Sequence, residues 1–150
     1  MRPRRVIMLA LAAIALLASC NRGATPAVVN PGMDVTYSTI DGCWELIAWN
    51  GEPIEESTYC YIEFNRTEQR FEMWDNIGSM YADKHSGSFT IEKNEYGEFI
   101  LTGTYDYGVG AWSDTYRVTM YTPGEEMRWE STSTSDTYTY ARIEEIPELN

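Results

Sequence analysis

From about residue 40 to residue 143, short stretches rich in aromatic and β-branched residues are separated by clusters of glycine, proline, asparagine and aspartate. Within each stretch apolar and polar residues alternate, which is typical of a strand with one buried face and one solvated face. Helical spacing of apolar residues is not sustained in this region. The pattern predicts an antiparallel all-β domain, with strands over residues 43–49, 59–65, 70–75, 86–92, 98–105, 114–121, 126–133 and 136–143.

The same alternation predicts which side chains point inward. Glutamate, threonine and arginine dominate the opposite faces. Four apolar residues fall on the outward side, namely Ile47, Trp49, Trp74 and Ile100. They form either a dimer patch or the scattered apolar positions that any protein surface carries. The predicted inward residues are Trp44, Leu46, Ala48, Cys60, Ile62, Phe64, Phe71, Met73, Phe89, Ile91, Phe99, Leu101, Tyr116, Val118, Met120, Met127, Trp129, Tyr138 and Tyr140.

Eight consecutive strands with short connections can close into an up-and-down barrel, which removes the unpaired sheet edges that invite aggregation. A two-sheet sandwich is the alternative architecture. Because the strands are only about seven residues long, at roughly 3.3 Å per residue, the barrel would be shallow and its interior small.

The first twenty residues have the layout of an export signal. Three arginines among the first five residues precede an apolar run over residues 6–18, which stops at Ser19-Cys20. A membrane-spanning helix needs about 20 apolar residues, so this shorter run is disfavoured as a permanent span. We therefore expect residues 1–19 to be removed as a signal peptide.

The motif Leu17-Ala18-Ser19-Cys20 resembles the lipobox of bacterial lipoproteins, in which the cysteine becomes the acylated first residue. The resemblance implies that Cys20 carries several acyl chains, such as palmitate, and several chains on one residue anchor a protein stably. An ordinary secretory signal with an incidental cysteine is the alternative. Asn21 follows the cysteine, where lipoproteins retained in the inner membrane often have aspartate. This favours the outer membrane and leaves the leaflet open.

The mature chain divides into three parts. Residues 20–38 contain two prolines and two glycines without sustained periodicity, so after the acylated cysteine they are expected to form a flexible tether. Residues 39–147 form the predicted barrel domain, and residues 148–150 are a short tail.

The first predicted strand carries a family resemblance. Gly42-Cys43-Trp44 resembles the Gly-x-Trp motif that opens the first strand of lipocalins, and residues 41–52 are similar to the start of the small lipocalin-like lipoproteins of Bacteroides-type bacteria. The resemblance implies structural roles for Gly42 and for Trp44 at the closed base of the barrel. It also implies an arginine over the indole ring, for which Arg142 in the last strand is the candidate. The long C-terminal helix of typical lipocalins and any recognisable ligand motif are missing from this sequence.

Composition excludes several classes of function. The chain has 11 Lys and Arg against 23 Asp and Glu, a net charge of −12, so it repels nucleic acid and anionic lipid surfaces. The alternation places Cys43 and Cys60 on opposite faces of neighbouring strands, which disfavours a disulfide. His85 is the single histidine of the sequence, so a histidine-based metal site is not expected, and no cofactor motif is present.

No constellation of residues points to catalysis, so we expect the protein not to be an enzyme. The paired glutamates at residues 55–56, 125–126 and 144–145 fall in predicted turns or in the tail, where solvated surface charge is the simpler interpretation. His85 falls in a predicted loop, and no Gly-x-Ser-x-Gly elbow surrounds the nearby serines.

The 4 Phe, 5 Trp and 11 Tyr are the richest feature, and they indicate either a packed core or an aromatic pocket. Our leading hypothesis is a barrel that binds a small apolar or amphipathic molecule. Strand direction places Phe89, Tyr116 and Tyr138 at its open end. A filled barrel that acts as a structural or protein-interaction module is the alternative, and an interior cavity of about 300 Å³ or more would favour the first hypothesis.

Overall fold

The computed structural model describes residues 32–108 and 110–149. The predicted signal peptide, Cys20 and the tether up to residue 31 lie outside the described residues. Among the described residues, no helix is long and apolar enough to cross a membrane. A single-turn helix, α1, spans Tyr37–Ile40, and the strands are β1 (Gly32–Met33), β2 (Gly42–Trp49), β3 (Glu52–Pro53), β4 (Cys60–Asn65), β5 (Arg70–Asp75), β6 (Asp83–Lys93), β7 (Phe99–Tyr105), β8 (Tyr116–Tyr121), β9 (Glu126–Ser131) and β10 (Thr137–Ile143).

Eight of these strands form a closed antiparallel barrel. The order around it is β2, β4, β5, β6, β7, β8, β9 and β10, and β10 pairs with β2 to complete the ring. Each strand therefore pairs with its neighbours along the sequence, as in an up-and-down barrel, and the prediction of this lipocalin-like fold is confirmed. The sandwich alternative is excluded. We call the end where β2 begins and β10 ends the base, and the opposite end the mouth.

The hydrophobic core occupies the interior of this barrel. Every residue predicted to point inward, apart from Ala48, is buried or packs against the buried core. The alternation predicted these positions because each strand has one dry face and one wet face. The core residues all lie between Val35 and Tyr140, so the domain from residue 31 onward has a closed sheet and a hydrophobic core of its own, as an independently folding unit does.

A β-bulge in β2 changes the faces of its last residues. On β10, Tyr140 pairs with Leu46 but the preceding Thr139 pairs with Ala48, so Ile47 is left without a partner on that strand. An extra residue of this kind shifts the alternation by one position. Ala48 consequently lies on the outward face together with Thr139.

The same bulge moves Trp49 to the inward side of the mouth. Trp49 pairs with Tyr138, and the two rings stack with their centroids 5.8 Å apart. The prediction that Ala48 points inward and Trp49 outward is therefore wrong, because a strict period of two does not hold across a bulge.

A tight hairpin follows Trp49. Asn50 and Gly51 both have positive φ values, 52° and 81°, and the next two residues, β3, pair back onto the end of β2. Asn-Gly with two positive φ angles is typical of a type I′ turn, whose twist matches that of its strands. The hairpin directs the following loop, residues 54–59, along the rim of the mouth.

The residues immediately before β2 close the base. Helix α1 begins after Thr36, whose hydroxyl accepts a hydrogen bond from the amide of Thr39, while the Thr39 hydroxyl accepts one from the amide of Thr36. This reciprocal capping fixes the single turn, which would not persist alone. Val35 and Ile40 are buried beneath the strands and anchor the turn to the core.

This closure corrects the predicted domain boundary. Residues 32–38 were expected to belong to the tether, but Gly32 and Met33 pair with Tyr121 and Met120 of β8. β8 can accept them because β7 pairs only with its first half, up to Val118. The barrel domain therefore includes residues from 32 onward, and the predicted start at residue 39 is too late.

Candidate functional site

The base is built around Trp44 and Arg142, which pair across β2 and β10. The guanidinium carbon of Arg142 lies 4.2 Å from the centroid of the Trp44 ring. Its three nitrogens donate hydrogen bonds of 2.7–2.8 Å to the carbonyl oxygens of Thr39, Asp41 and Gly124. The predicted stacking of arginine on tryptophan is confirmed, and the arginine also ties together three separate segments of the base.

Gly42 is required for this arrangement. Its φ of 108° belongs to the region that side chains avoid, and a Cβ atom there would lie 3.0 Å from Nη1 of Arg142. Trp44 is fully buried, and its indole N–H donates a 2.8 Å hydrogen bond to the carbonyl of Ile40. Gly42, Trp44 and Arg142 therefore have structural roles, and this end of the barrel is filled by the protein's own chain.

The mouth contains a cavity of about 450 Å³, which exceeds the size that favours a ligand site. It extends between the mouth ends of the strands and the two loops that follow β5 and β7. Six of the thirteen residues that line it are aromatic. The lining residues are Leu46, Cys60, Met73, Asp75, Ile77, Gly78, Tyr105, Trp112, Ser113, Tyr116, Trp129, Tyr138 and Tyr140.

Tyr116 and Tyr138 both line this cavity, at the position that strand direction predicted. Their rings are perpendicular, with centroids 5.8 Å apart. Burial, followed by the negative charges of nearby groups, raises the pKa of Tyr116 to about 12 and also raises the pKa of Tyr138. Both hydroxyls therefore stay neutral at physiological pH and can donate as well as accept hydrogen bonds. Their contact with a ligand stays a prediction.

Phe89 does not line the cavity, and its expected place near the mouth is wrong. Its ring is buried toward the base, where it contacts Tyr37 of α1 at 5.5 Å and Phe64 at 4.8 Å between centroids. The physical reason is the length of β6, which begins at Asp83, before the predicted start at residue 86. Phe89 is consequently the seventh of eleven residues and lies past the middle of the strand.

Trp112 is a wall of the cavity that the strand pattern did not reveal. It lies in the loop between β7 and β8, and its ring packs on Trp129 and Phe71 with centroids 5.9 and 5.1 Å apart. The ring also covers Gly103, where a Cβ atom would approach it to 2.0 Å. One sequence signal could have identified Trp112 as a core residue. Gly103 lies in the middle of a strand, and Trp112 follows it in a glycine-rich loop.

The Trp112 indole N–H is buried and, within the described residues, has no hydrogen-bond partner. The backbone holds the residue in place, because its amide donates a 2.8 Å bond to the carbonyl of Gly103. A buried donor of this kind costs about 1–3 kcal/mol.

Asp75 and Cys60 lie opposite each other on β5 and β4, and both face the cavity. Burial, followed by the negative charge of Asp75, raises the pKa of the Cys60 thiol to about 12. The thiol is therefore protonated at physiological pH. Asp75 continues the inward series of Phe71 and Met73, so the alternation could have identified it as a charged residue on the dry side of β5.

His85 lies at the rim beside Asp75, with 3.7 Å between the imidazole Nε2 and a carboxylate oxygen. It was expected in a loop but belongs to β6, where it pairs with Met73. The early part of this strand is polar, so apolar alternation could not mark its beginning. The side chain of His85 is 45% exposed.

A second hollow of about 430 Å³ adjoins the mouth, under the loop between β3 and β4. Trp49 and Ile54 line it, and Ile77 lines both this hollow and the mouth cavity. Because Trp49 also stacks on Tyr138, the two spaces share an aromatic and aliphatic rim.

Cys43 pairs with Glu63 on the outer face and Cys60 is buried, so the two side chains point to opposite faces; both are free thiols in the structure. Among the described residues, no group of three or more His, Cys, Asp or Glu side chains could hold a metal ion.

Compared with protein-family models, with curated proteins and with solved structures, the chain matches none of them at a significant level. The function is therefore inferred from the chemistry of the site.

Proposed function

We propose that this protein is a non-enzymatic binding protein whose barrel holds a small apolar or amphipathic molecule at the mouth. The observation that carries the proposal is the cavity of about 450 Å³, with its aromatic walls and a few polar groups. Sites for small molecules have this composition, in which apolar surface supplies affinity and a few hydrogen-bonding groups fix orientation. At the base, by contrast, the described side chains of Ile40, Trp44 and Met120 are fully buried.

The groups at the mouth support binding over catalysis. Burial raises the pKa values of Cys60 and Tyr116 to about 12 and that of Tyr140 well above its usual value. A catalytic nucleophile needs the opposite shift, since the thiolate is the reactive form of cysteine. The neutral hydroxyls are instead suited to hydrogen bonding with a ligand.

We also propose that the domain is a lipoprotein of the bacterial outer membrane, anchored through acylated Cys20. The lipobox resemblance supports this anchor. In addition, Gly32 lies at the base, so the chain enters the barrel at the end opposite the mouth. An anchor at the N-terminus would leave the mouth free to exchange ligands.

Ligand binding can be tested with the domain of residues 31–150 in a thermal-shift screen of fatty acids, bile acids, aromatic metabolites and amines. A ligand at one hundred times its Kd stabilises the native state by about 2.7 kcal/mol. Tryptophan fluorescence should change as well, because Trp112 and Trp129 line the cavity.

Variants locate the ligand in this experiment. Tyr116→Ala and Tyr138→Ala should reduce the thermal shift, whereas Tyr96→Ala, at an exposed turn, should leave it unchanged. If no compound stabilises the domain, or if hits survive both mouth substitutions undiminished, the pocket is wrong. The interaction-module hypothesis would then replace it.

The anchor has its own test in the full chain. We expect Cys20→Ala to move the protein from the membrane fraction to the soluble envelope fraction, because the acyl chains attach at that sulfur. Cys43→Ala is the matched control and should leave fractionation unchanged. Membrane partitioning of Cys20→Ala like that of the wild type would contradict the proposed anchor.

A further inference from the structure

If the mouth cavity binds a small molecule, as proposed above, its chemistry selects one class, and we infer that the ligand is an organic cation: an ammonium group attached to an apolar body. Such a molecule would place its charge among the aromatic rings near Asp75 and its apolar part against Met73 and Leu46.

The lining of the cavity carries a negative charge at Asp75. Among the lining residues, all of which belong to the described part of the chain, Asp75 is the one with a formal charge. Its carboxylate is only 18% exposed and it faces the same side of β5 as Met73. The amide of Ile77 donates one hydrogen bond to it, at 3.1 Å. A partly desolvated carboxylate attracts a cation more strongly than a fully hydrated one does.

Two further carboxylates surround the mouth. Although burial opposes ionisation of Asp114, hydrogen bonds led by that from Ser131 hold the pKa of Asp114 below its usual value. Hydrogen bonds from Asn50 and Thr134 lower the pKa of Asp136. Both carboxylates are therefore charged at physiological pH. Burial is the largest cause of the raised pKa of Tyr138, and the negative charges of Asp136 and Asp114 raise that pKa further.

The basic side chains beside these strands are engaged elsewhere. Lys84 lies on the outer face of β5 and β6, 3.1 Å from Glu72. Arg117 follows Tyr116 in the chain but points outward, where its Nε lies 2.7 Å from Glu98. His85 lies at the rim with its Nε2 3.7 Å from a carboxylate oxygen of Asp75, and its side chain is 45% exposed. The mouth consequently has a negative field.

The aromatic rings that line the cavity meet at several different angles. Tyr116 is perpendicular to Tyr138, and Trp112 meets Tyr116 edge to face at 6.0 Å. Trp129 lies 4.6 Å from Tyr140, with the two rings tilted by 40°. These lining rings stand at several angles to one another, and ring faces attract ammonium groups, most strongly when water is excluded.

The same features disfavour anions. A carboxylate placed in this cavity would face Asp75, and no lysine or arginine lies among the lining residues, which are all in the described part of the chain. Fatty acids and bile acids should therefore bind less well than amines of similar apolar size. Repulsion of anions thus contributes to the selectivity of the cavity, as attraction of cations does.

A matched set of probes tests the inference by isothermal titration calorimetry on residues 31–150. The probes are 4-(trimethylammonio)phenol, its neutral carbon isostere 4-tert-butylphenol, and the anion 4-hydroxyphenylacetate. We expect the cation to bind about tenfold more tightly than the isostere, as one desolvated cation–π and charge contact allows, and the anion to bind most weakly.

Asp75→Asn should bring the cation and the isostere to within about twofold of each other, because the amide keeps the oxygen that accepts from Ile77 but loses the charge. Glu92→Gln, an exposed position on β6, makes the same change in net charge and should preserve the preference. Equal or tighter binding of the isostere or the anion by the wild type would overturn the cation inference and leave the binding function intact. Absence of binding by all three probes, together with a negative thermal screen, would overturn both.

Discussion

A buried tryptophan lies at each end of the barrel, but the surroundings of the two side chains differ. At the base, Trp44 is fully buried and stacked under Arg142, with its indole N–H bonded to a backbone carbonyl. At the mouth, Trp112 is also largely buried, but its indole N–H has no partner among the described residues and it borders a cavity of about 450 Å³. At the base, the indole N–H has a hydrogen-bond partner within the protein and the interior is filled. At the mouth, the indole N–H has no partner among the described residues and a cavity remains.

The difference comes from what covers each end. Residues 32–41 fold back under the base, where β1 pairs with β8 and Ile40 is buried. At the mouth, the loops cover the opening only in part, and Met80 and Tyr81 of the β5–β6 loop are 91% and 76% exposed. An eight-stranded barrel is just wide enough to be filled or to hold one small ligand. In this barrel the base is filled by buried side chains, and the mouth leaves a cavity of about 450 Å³.

The largest expected effect is at the base. Trp44→Ala should lower the free energy of unfolding by about 3–5 kcal/mol, the range for truncation of a buried large aromatic residue. Trp49→Ala, which removes a 44% exposed ring at the mouth, is the matched control and should cost less than about 1 kcal/mol. Urea denaturation of both variants measures this contrast, and equal losses would contradict the difference between the two ends.

The free energy of unfolding should depend on alkaline pH through Cys60, which lines the mouth cavity. Since the Cys60 thiol prefers its protonated form in the folded state, its contribution is fully present below pH 9 and is lost as the pH rises from 9.0 to about 12. The difference between these values corresponds to up to about 4 kcal/mol. Stability should therefore fall more steeply over this window in the wild type than in Cys60→Ala. Parallel stability curves for the two proteins would refute a desolvated thiol.

Coupling at the base should be smaller but measurable. Arg142→Ala should cost about 2 kcal/mol through lost packing on Trp44 and lost hydrogen bonds to backbone carbonyls. A double-mutant cycle with Trp44→Ala should give a coupling energy of about 0.5–2 kcal/mol. Additive losses would show that the contact between the guanidinium and the indole ring stabilises nothing.

Much of the barrel could be predicted from residue alternation, because each strand has one face in the core and one in water. The barrel base was also accessible, since Gly42, Trp44 and Arg142 stand at matching ends of the first and last strands. In the mouth, Tyr116 and Tyr138 could be placed from strand direction alone.

The features that the sequence did not predict are places where the chain departs from regular strands. The bulge at Ile47 reverses the faces of the residues after it, and no local sequence signal marks it. The polar start of β6 hid its true length and so misplaced Phe89. Trp112 reaches the cavity from a loop, and Val35 reaches the core from a segment that reads as a tether, so both depend on tertiary packing.

Methionine methyl groups observed by NMR can test directly whether the mouth, and not the base, accepts a ligand. Met73 lines the mouth cavity, whereas Met120 is fully buried near the base, where Met33 pairs with it. Titration of residues 31–150 with 4-(trimethylammonio)phenol should shift the Met73 methyl resonance in a saturable manner and leave those of Met33 and Met120 unchanged. Saturable shifts at Met33 and Met120 without a shift at Met73 would contradict ligand binding at the mouth.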